Sequence, residues 1–265
     1  MTSTTTALSS LLSPQVLCFD VYGTLIDWET GLHTAATKRL LSQLPTPPSR
    51  DEFLKAYLSY EAAQQRATPD MTYSSLLAAV YRQLVSHYSL DASSESESEA
   101  VAAATAFGAS VGHWPAFADS PAALAALGKR FKLVVLSNVD RDSFQGSLPS
   151  LSESGGDGEE VFDLVLTAQD VGSYKPSLRN FEFMLREVHD RWGIDKDRVC
   201  VVANSLFHDH VPAKRLGLQS VWIERPGAVM GVDTNTPGAS WDWSFKTLGE
   251  MAQSVENLAQ QLADA

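Results

Sequence analysis

Four polar segments, each at the end of an apolar run, hold the side chains of this chain that are equipped for chemistry: Asp20, Ser137-Asn138, Lys175 and Asp209. Asp20 follows Val16-Leu17-Cys18-Phe19 and precedes the turn signal Gly23-Thr24. A carboxylate at the carboxyl end of a buried strand lies where open α/β sheets place their ligand crevice. It either caps the turn or attacks an electrophile, forming an ester that water then cleaves. Ser137 and Asn138 offer neutral donors for an anionic substrate or a leaving group, or simply a turn out of the strand. Lys175, just before Pro176, is either a solvated surface lysine or a fixed ammonium that keeps a neighbouring carboxylate ionised. Asp209 follows Asn204 by five residues and is placed to orient or deprotonate a water. His208 and His210 flank it, but residues two apart share neither a strand face nor a helix face, so no His-bound metal is expected.

The elements that must position these groups follow from apolar patterning. Runs at 16–20, 132–137, 162–167, 199–204 and 219–223 are rich in Val and Leu and do not alternate, as strands buried on both faces do not. Helical spacing marks 121–130 and 176–192, the latter with Pro176 at the first helical position and Phe181, Met184, Leu185 and Val188 on one side. Strands alternating with helices imply a parallel sheet covered on both faces. Between about 28 and 118 the patterns are helical only, at 31–44, 51–67, 72–90 and 100–111, with a proline-rich turn at 45–48. The expected fold is α/β: a Rossmann-like parallel sheet core at 14–28 and 118–265, and an inserted helical cap domain at 29–117. The cap would exclude water and shape the pocket. Residues 1–13 read as a flexible tail, 146–160 as a loop, and 226–243 as an irregular stretch containing Trp241 and Trp243.

Charge and cysteine content narrow the function classes. The formal net charge of −12 argues against nucleic-acid binding, which needs basic patches. Much of it lies in 91–99 and 153–160, which read as solvated loops. Cys18 and Cys200 sit in apolar runs and read as reduced buried thiols. The first residues fit neither a signal nor a transit peptide, and no apolar run nears the ~20 residues that span a bilayer. A cytoplasmic protein with no membrane partner is expected.

The ordered set Asp20, Ser137, Lys175-Pro176 and Asp209 resembles the signature of the haloacid dehalogenase superfamily, over Leu17 to about Gly227 and with the cap where that superfamily inserts it. Within it the chain most resembles the 2-haloacid dehalogenase (type II) branch. Phosphatases of the superfamily carry a second Asp two residues after the nucleophile, which protonates a basic leaving alkoxide. Here that position is Tyr22, whose phenol, with a pKa of about 10, is a poor acid near neutrality. A halide leaves without a proton. The first acidic position of the fourth motif is Asn204, which weakens a site for a hard cation. The resemblance therefore implies no metal and no cofactor.

It further implies that Asp20 attacks C2 of a small 2-haloacid and displaces halide, and that Lys175 organises Asp20 while Thr24 supports it. Ser137 would hold the substrate carboxylate, with Tyr22 and Asn204 among the binding residues. Asn138 would meet the leaving halide, and Asp209 would direct water onto the ester. A small-molecule carboxylate is the implied partner, with a homodimer left open. Three positions depart from the branch. Phe181 stands where a Tyr is usual, the fourth motif reads Asn204-Ser205-Leu206-Phe207-His208-Asp209, and the cap arginine that cradles halide is represented at best by Arg66. Glu61, close by, suits a cationic substrate instead. Relatives that open azetidine carboxylate or epoxy-acid rings use the same ester chemistry, and Tyr22, Tyr174, His208 or His210 would then be candidate proton donors. A phosphatase or a non-catalytic binding protein on this fold remain further readings.

Overall fold

The protein is described here from a computed structural model covering residues 10–90, 96–153, 161–229, 231 and 233–264. The elements run, in chain order, β1 (Val16–Phe19), α1 (Trp28–Arg39), α2 (Arg50–Ala67), α3 (Tyr73–His87), α4 (Glu97–Gly108), α5 (Ser120–Gly128), β2 (Lys132–Ser137) and α6 (Arg141–Leu151). They continue with β3 (Leu164–Thr167), α7 (Ala168–Val171), α8 (Leu178–Trp192), β4 (Val199–Ala203), α9 (Val211–Leu216), β5 (Gln219–Ile223), β6 (Trp243–Phe245) and α10 (Leu248–Ala263). Short 3-10 and π turns link several of them.

The chain divides into two compact units, one of residues 1–26, 116–137 and 149–265, the other of 27–115 and 138–148. The first unit is built on a parallel six-stranded sheet of order β3-β2-β1-β4-β5-β6. β1 sits at its centre, with Phe19 in register with Val135 on one side and Val202 on the other. Every residue of β1 and β4 is buried, which is why their sequences do not alternate. Val16, Cys18, Val134, Leu136, Val199, Val201 and Ala203 face one side. There they pack against Phe181, Met184 and Val188, the apolar stripe of α8. Full burial of each such side chain is worth roughly 1.5–3 kcal/mol. Both cysteines are free and buried, and burial pushes the Cys18 thiol up to about 12.

The second unit is helical. Serine caps start two of its helices: Ser49 and Glu52 form a reciprocal capping box on α2, and Ser96 and Glu99 another on α4. Phe53, Leu54, Tyr57, Leu76, Leu77, Val80, Leu84 and Phe107 are buried. Residues 138–148 belong here because Asp140 accepts hydrogen bonds from the Ser74 and Ser143 backbone N–H groups, each at 2.9 Å. Burial works against the Asp140 carboxylate, but these bonds outweigh it and hold its pKa below the usual value.

Several sequence expectations change. The segment 146–151, expected as loop, is the second half of α6. Its Gly146 is there for close approach: a Cβ on it would stand 2.9 Å from the Gly112 Cα. Pro176 does not open a helix; α8 begins at Leu178, and the Lys175–Pro176 peptide is cis. Residues 10–12 form a 3-10 turn whose Leu11 is fully buried, so the expected tail is anchored there. Trp243 opens β6, a strand absent from the sequence reading. The expected loops at 91–95 and 154–160, and 1–9 of the tail, lie outside the described residues. Among the described residues no helix is long and apolar enough to cross a membrane.

Candidate active site

The strand order reverses across β1 and β4, so their carboxyl ends flank a topological switch point. Asp20 leaves β1 there, its N–H donating to Val202 O of β4 at 3.1 Å. The chain then turns through Gly23, at φ 99°, whose N–H donates to Ile26 O at 2.8 Å. That turn swings Thr24 back: its Oγ1 donates to Asp20 Oδ2 at 2.8 Å and accepts the Asn204 N–H at 2.9 Å.

Lys175 supplies the positive charge. Its ammonium donates to Asp20 Oδ1, Asp209 Oδ1 and the Leu136 carbonyl, each at 2.8 Å, so three donors meet three acceptors. The Lys175 side chain is 1% exposed, against 10% for Asp20 and 2% for Asp209. Burial opposes the charged amine, but Asp20 and then Asp209 outweigh it and hold the Lys175 pKa above its ordinary value. Burial raises the Asp209 carboxyl, with Lys175 pulling the other way. Three buried side-chain polar atoms have no hydrogen-bond partner among the described residues, Gln219 Oε1 on β5 and two at this cluster, Asp209 Oδ2 and Ser137 Oγ. Unsatisfied buried groups are costly, and a pair of them beside a buried ion cluster marks a place where a bound molecule or water belongs.

The other residues singled out in the sequence have the following surroundings. Asn204 Nδ2 donates to the Ile223 carbonyl at 2.8 Å, and the Asn204 backbone carbonyl accepts from Trp222 Nε1 at 3.0 Å. Asn138 belongs to the helical unit. Tyr22 is half-buried in the turn after β1, bridged to Ile26. Phe181 is fully buried in the core under the sheet, where a hydroxyl has no use. His210 is a core histidine, its Nε2 donating to Ala203 O at 3.0 Å, and burial lowers its pKa. Arg66 is exposed; nine residues at 100° each turn it to the side of α2 opposite the buried Tyr57. Glu61, one turn from Tyr57, lies on the packed side, accepting from Tyr73 OH at 2.7 Å and Tyr57 OH at 3.3 Å. Burial raises its pKa despite those two donors.

One buried residue that braces the turn after β1 escaped the sequence reading. Arg225, just past β5, is buried, and its Nε and Nη2 both donate to the Thr24 carbonyl, at 2.9 and 2.7 Å. Its Nη1 pairs with Asp119 at 2.6 Å, and its guanidinium lies 4.1 Å from the Phe117 ring centroid. Asp119 is itself fixed by the Gly249 N–H at 2.9 Å. Arg225 therefore holds Thr24, and through it Asp20. Only an acidic partner and a strand end hinted at it.

Some proteins of this fold carry magnesium, and the donor set here fits that ion poorly. Asp20 and Asp209 each spend one oxygen on Lys175, and Asp20 spends the other on Thr24. The neutral Asn204 in place of a carboxylate weakens a site for a hard cation. Among the described residues no group of three or more His, Cys, Asp or Glu is arranged to hold a metal.

A carboxylate–ammonium–carboxylate cluster thus sits at the switch point of a parallel sheet. The sequence profile of the haloacid dehalogenase-like hydrolases matches residues 14–217, and the chain belongs to that family. Solved structures with the same fold include a defluorinating L-2-haloacid dehalogenase (TM-score 0.71, 17% identity, 92% of this chain and 95% of that one). Another is an L-2-haloacid dehalogenase from Xanthobacter autotrophicus with chloropropionic acid covalently bound (TM-score 0.67, 17% identity, 92% and 98%). A third is a HAD-hydrolase from Bacillus subtilis bound to magnesium (TM-score 0.67, 15% identity, 91% and 97%). No curated protein sequence matches the chain significantly.

Proposed function

We propose that this hydrolase displaces halide from a small 2-haloacid through an ester on Asp20. The observation that carries the reading is the Lys175 ammonium held between Asp20 Oδ1 and Asp209 Oδ1 at 2.8 Å each. It sets a fixed positive charge beside the Asp20 carboxylate and orients that group for attack. Asp20 attacks C2, the carbon–halogen bond breaks, and the halide departs with the bonding pair. Water then adds to the Asp20 carbonyl carbon, and the unpartnered Asp209 Oδ2 is the group suited to receive its proton. Ser137 Oγ, also unpartnered, suits the substrate carboxylate. Tyr22 in place of an acid supports a leaving group that needs no proton. Magnesium takes no part in this scheme.

A second reading has one observation in its favour. Arg66 is exposed on the side of its helix opposite Tyr57, which gives no support to a halide cradle, while Glu61 brings a carboxylate to that unit. Both features suit opening of a small strained ring by the same ester chemistry. Purified protein assayed against 2-chloropropionate, 2-bromopropionate, azetidine-2-carboxylate, cis-epoxysuccinate and a phosphate ester decides between them. Halide release with inversion at C2 is expected; turnover confined to the cyclic acids selects the second reading, and phosphate release alone rejects both.

A further inference from the structure

Two of the places where the chain passes between its units, 26/27 and 115/116, are bonded to each other. Ile26 and Ala116 form an antiparallel bridge. Asp27 N–H donates to Pro115 O at 2.8 Å, and Phe117 N–H to Leu25 O at 2.9 Å. The Ser120 hydroxyl gives Leu25 O a second donor at 2.9 Å. One guanidinium touches both crossings. Arg225 reaches the first at the Thr24 carbonyl, and the second at Asp119, at the Phe117 ring and at Ser120 Oγ, the last 3.2 Å from Nη2. Asp119 stands at the N-cap of α5, where an aspartate ordinarily accepts from its own helix. It makes no such bond, and spends Oδ1 on Arg225 Nη1 and Oδ2 on the Gly249 N–H of α10. The Arg225 side chain is 2% exposed, and a charge so buried needs a partner of opposite sign, which Asp119 supplies.

We propose that Asp119 is a positioning residue for the reaction: acting through Arg225 on the Thr24 carbonyl, it seats both crossings and the Thr24 hydroxyl that holds Asp20. Asp119 touches no reacting atom, and no covalent step is assigned to it. Its charge keeps the guanidinium turned inward. Without that charge the buried guanidinium is uncompensated and gains by turning toward water, which releases the Thr24 carbonyl. Thr24 Oγ1 then loses its fixed place between Asp20 Oδ2 and the Asn204 N–H. A nucleophile shifted by about 1 Å from its line of attack can lose about a hundredfold in rate, so a contact this far from the substrate still matters. The rate measurement below rests on the ester reading above; the exchange measurement does not.

Two measurements on the full chain test this. In rapid-quench assays of ester on Asp20 with 2-chloropropionate, Asp119→Asn should slow the maximal rate by about fivefold or more, with the half-saturating concentration little changed. Added to Arg225→Lys, it should slow the reaction no further than Arg225→Lys alone, because both act on one contact. Thr247→Ala removes the other cap of α10, where Thr247 Oγ1 accepts the Glu250 N–H at 3.1 Å, and should lower the melting temperature without slowing the ester. A smaller loss in Asp119→Asn, additive losses in the double variant, or an equal loss in Thr247→Ala overturns the proposal. Amide hydrogen exchange followed by NMR needs no turnover. In Asp119→Asn the Asp27, Phe117 and Asn204 N–H groups should exchange faster together, Asn204 because it donates to Thr24 Oγ1. Faster exchange at Gly249 alone would mean that Asp119 merely caps α10, and overturns the proposal. If the unmodified protein forms no ester with 2-chloropropionate or with cis-epoxysuccinate, the ester reading fails, and the exchange result by itself decides whether Asp119 seats Thr24.

Discussion

Lys175 is the residue on which the ion cluster turns. Removing its charge leaves Asp20 and Asp209 facing each other in a buried setting. Breaking a buried pair typically costs about 3–5 kcal/mol, because the remaining charge is uncompensated. Lys175→Met should therefore lower the urea-unfolding free energy by about that amount, as well as abolishing turnover. A variant as stable as the parent would mean that one carboxylate is already protonated. Arg225 makes a finer test. Arg225→Lys keeps a charge for Asp119 but cannot place two N–H groups on the Thr24 carbonyl. Its kcat should fall by about tenfold, the worth of one charge-assisted hydrogen bond, with KM little changed. A change in KM alone would remove Arg225 from the positioning of Asp20. Asp20, Ser137, Lys175 and Asp209 were legible in the sequence because each ends or follows an apolar run. Arg225 was not, because nothing local distinguishes a buried arginine aimed at a distant carbonyl from a solvated one.

At the scale of elements, α2 carries two opposite expectations. Arg66 is on its exposed side, so Arg66→Ala should leave turnover within about twofold, as surface changes usually do. A tenfold loss in steady-state turnover would restore Arg66 to the reaction. Glu61, four residues from Tyr57, is on the packed side, and burial raises its folded-state pKa above the unfolded value. Between those two values the folded state holds the extra proton, so stability falls as pH rises through that window and is greatest below it. Glu61→Gln removes the ionisation, so its melting temperature relative to the parent should climb from pH 4 to pH 8; a pH-independent difference would contradict the buried carboxyl. Strands at 132–137 and 219–223 were legible to the residue, since the apolar runs there have clear ends. β6 was not: three residues after a Gly- and Pro-rich stretch carry too little pattern. α6 was hidden by Gly146 and Pro149, residues that usually break helices, although Gly146 is there for its close approach to Gly112.

Taken as a whole molecule, the chain owes its site to topology: two strands wind out on one side of β1, three on the other, and the reactive groups gather where the two directions part. The alternation of strands and helices made that sheet legible. The membership of 138–148 in the helical unit was not, because it depends on Asp140 meeting a backbone N–H of Ser74, a contact 66 residues distant that local pattern cannot encode. The poor fit of the donor set to magnesium predicts that turnover survives exhaustive chelation and is not raised by added magnesium; a strict requirement for the ion would reassign the chemistry. The most direct test of the whole account is isotopic. Under single-turnover conditions in oxygen-18 water, with 2-chloropropionate as substrate and enzyme in excess, the label should appear on the Asp20 carboxylate by peptide mass spectrometry. The first product formed should carry ordinary oxygen from Asp20. Label found directly in that first product, with none on Asp20, would mean that water attacks the substrate itself and that no ester forms.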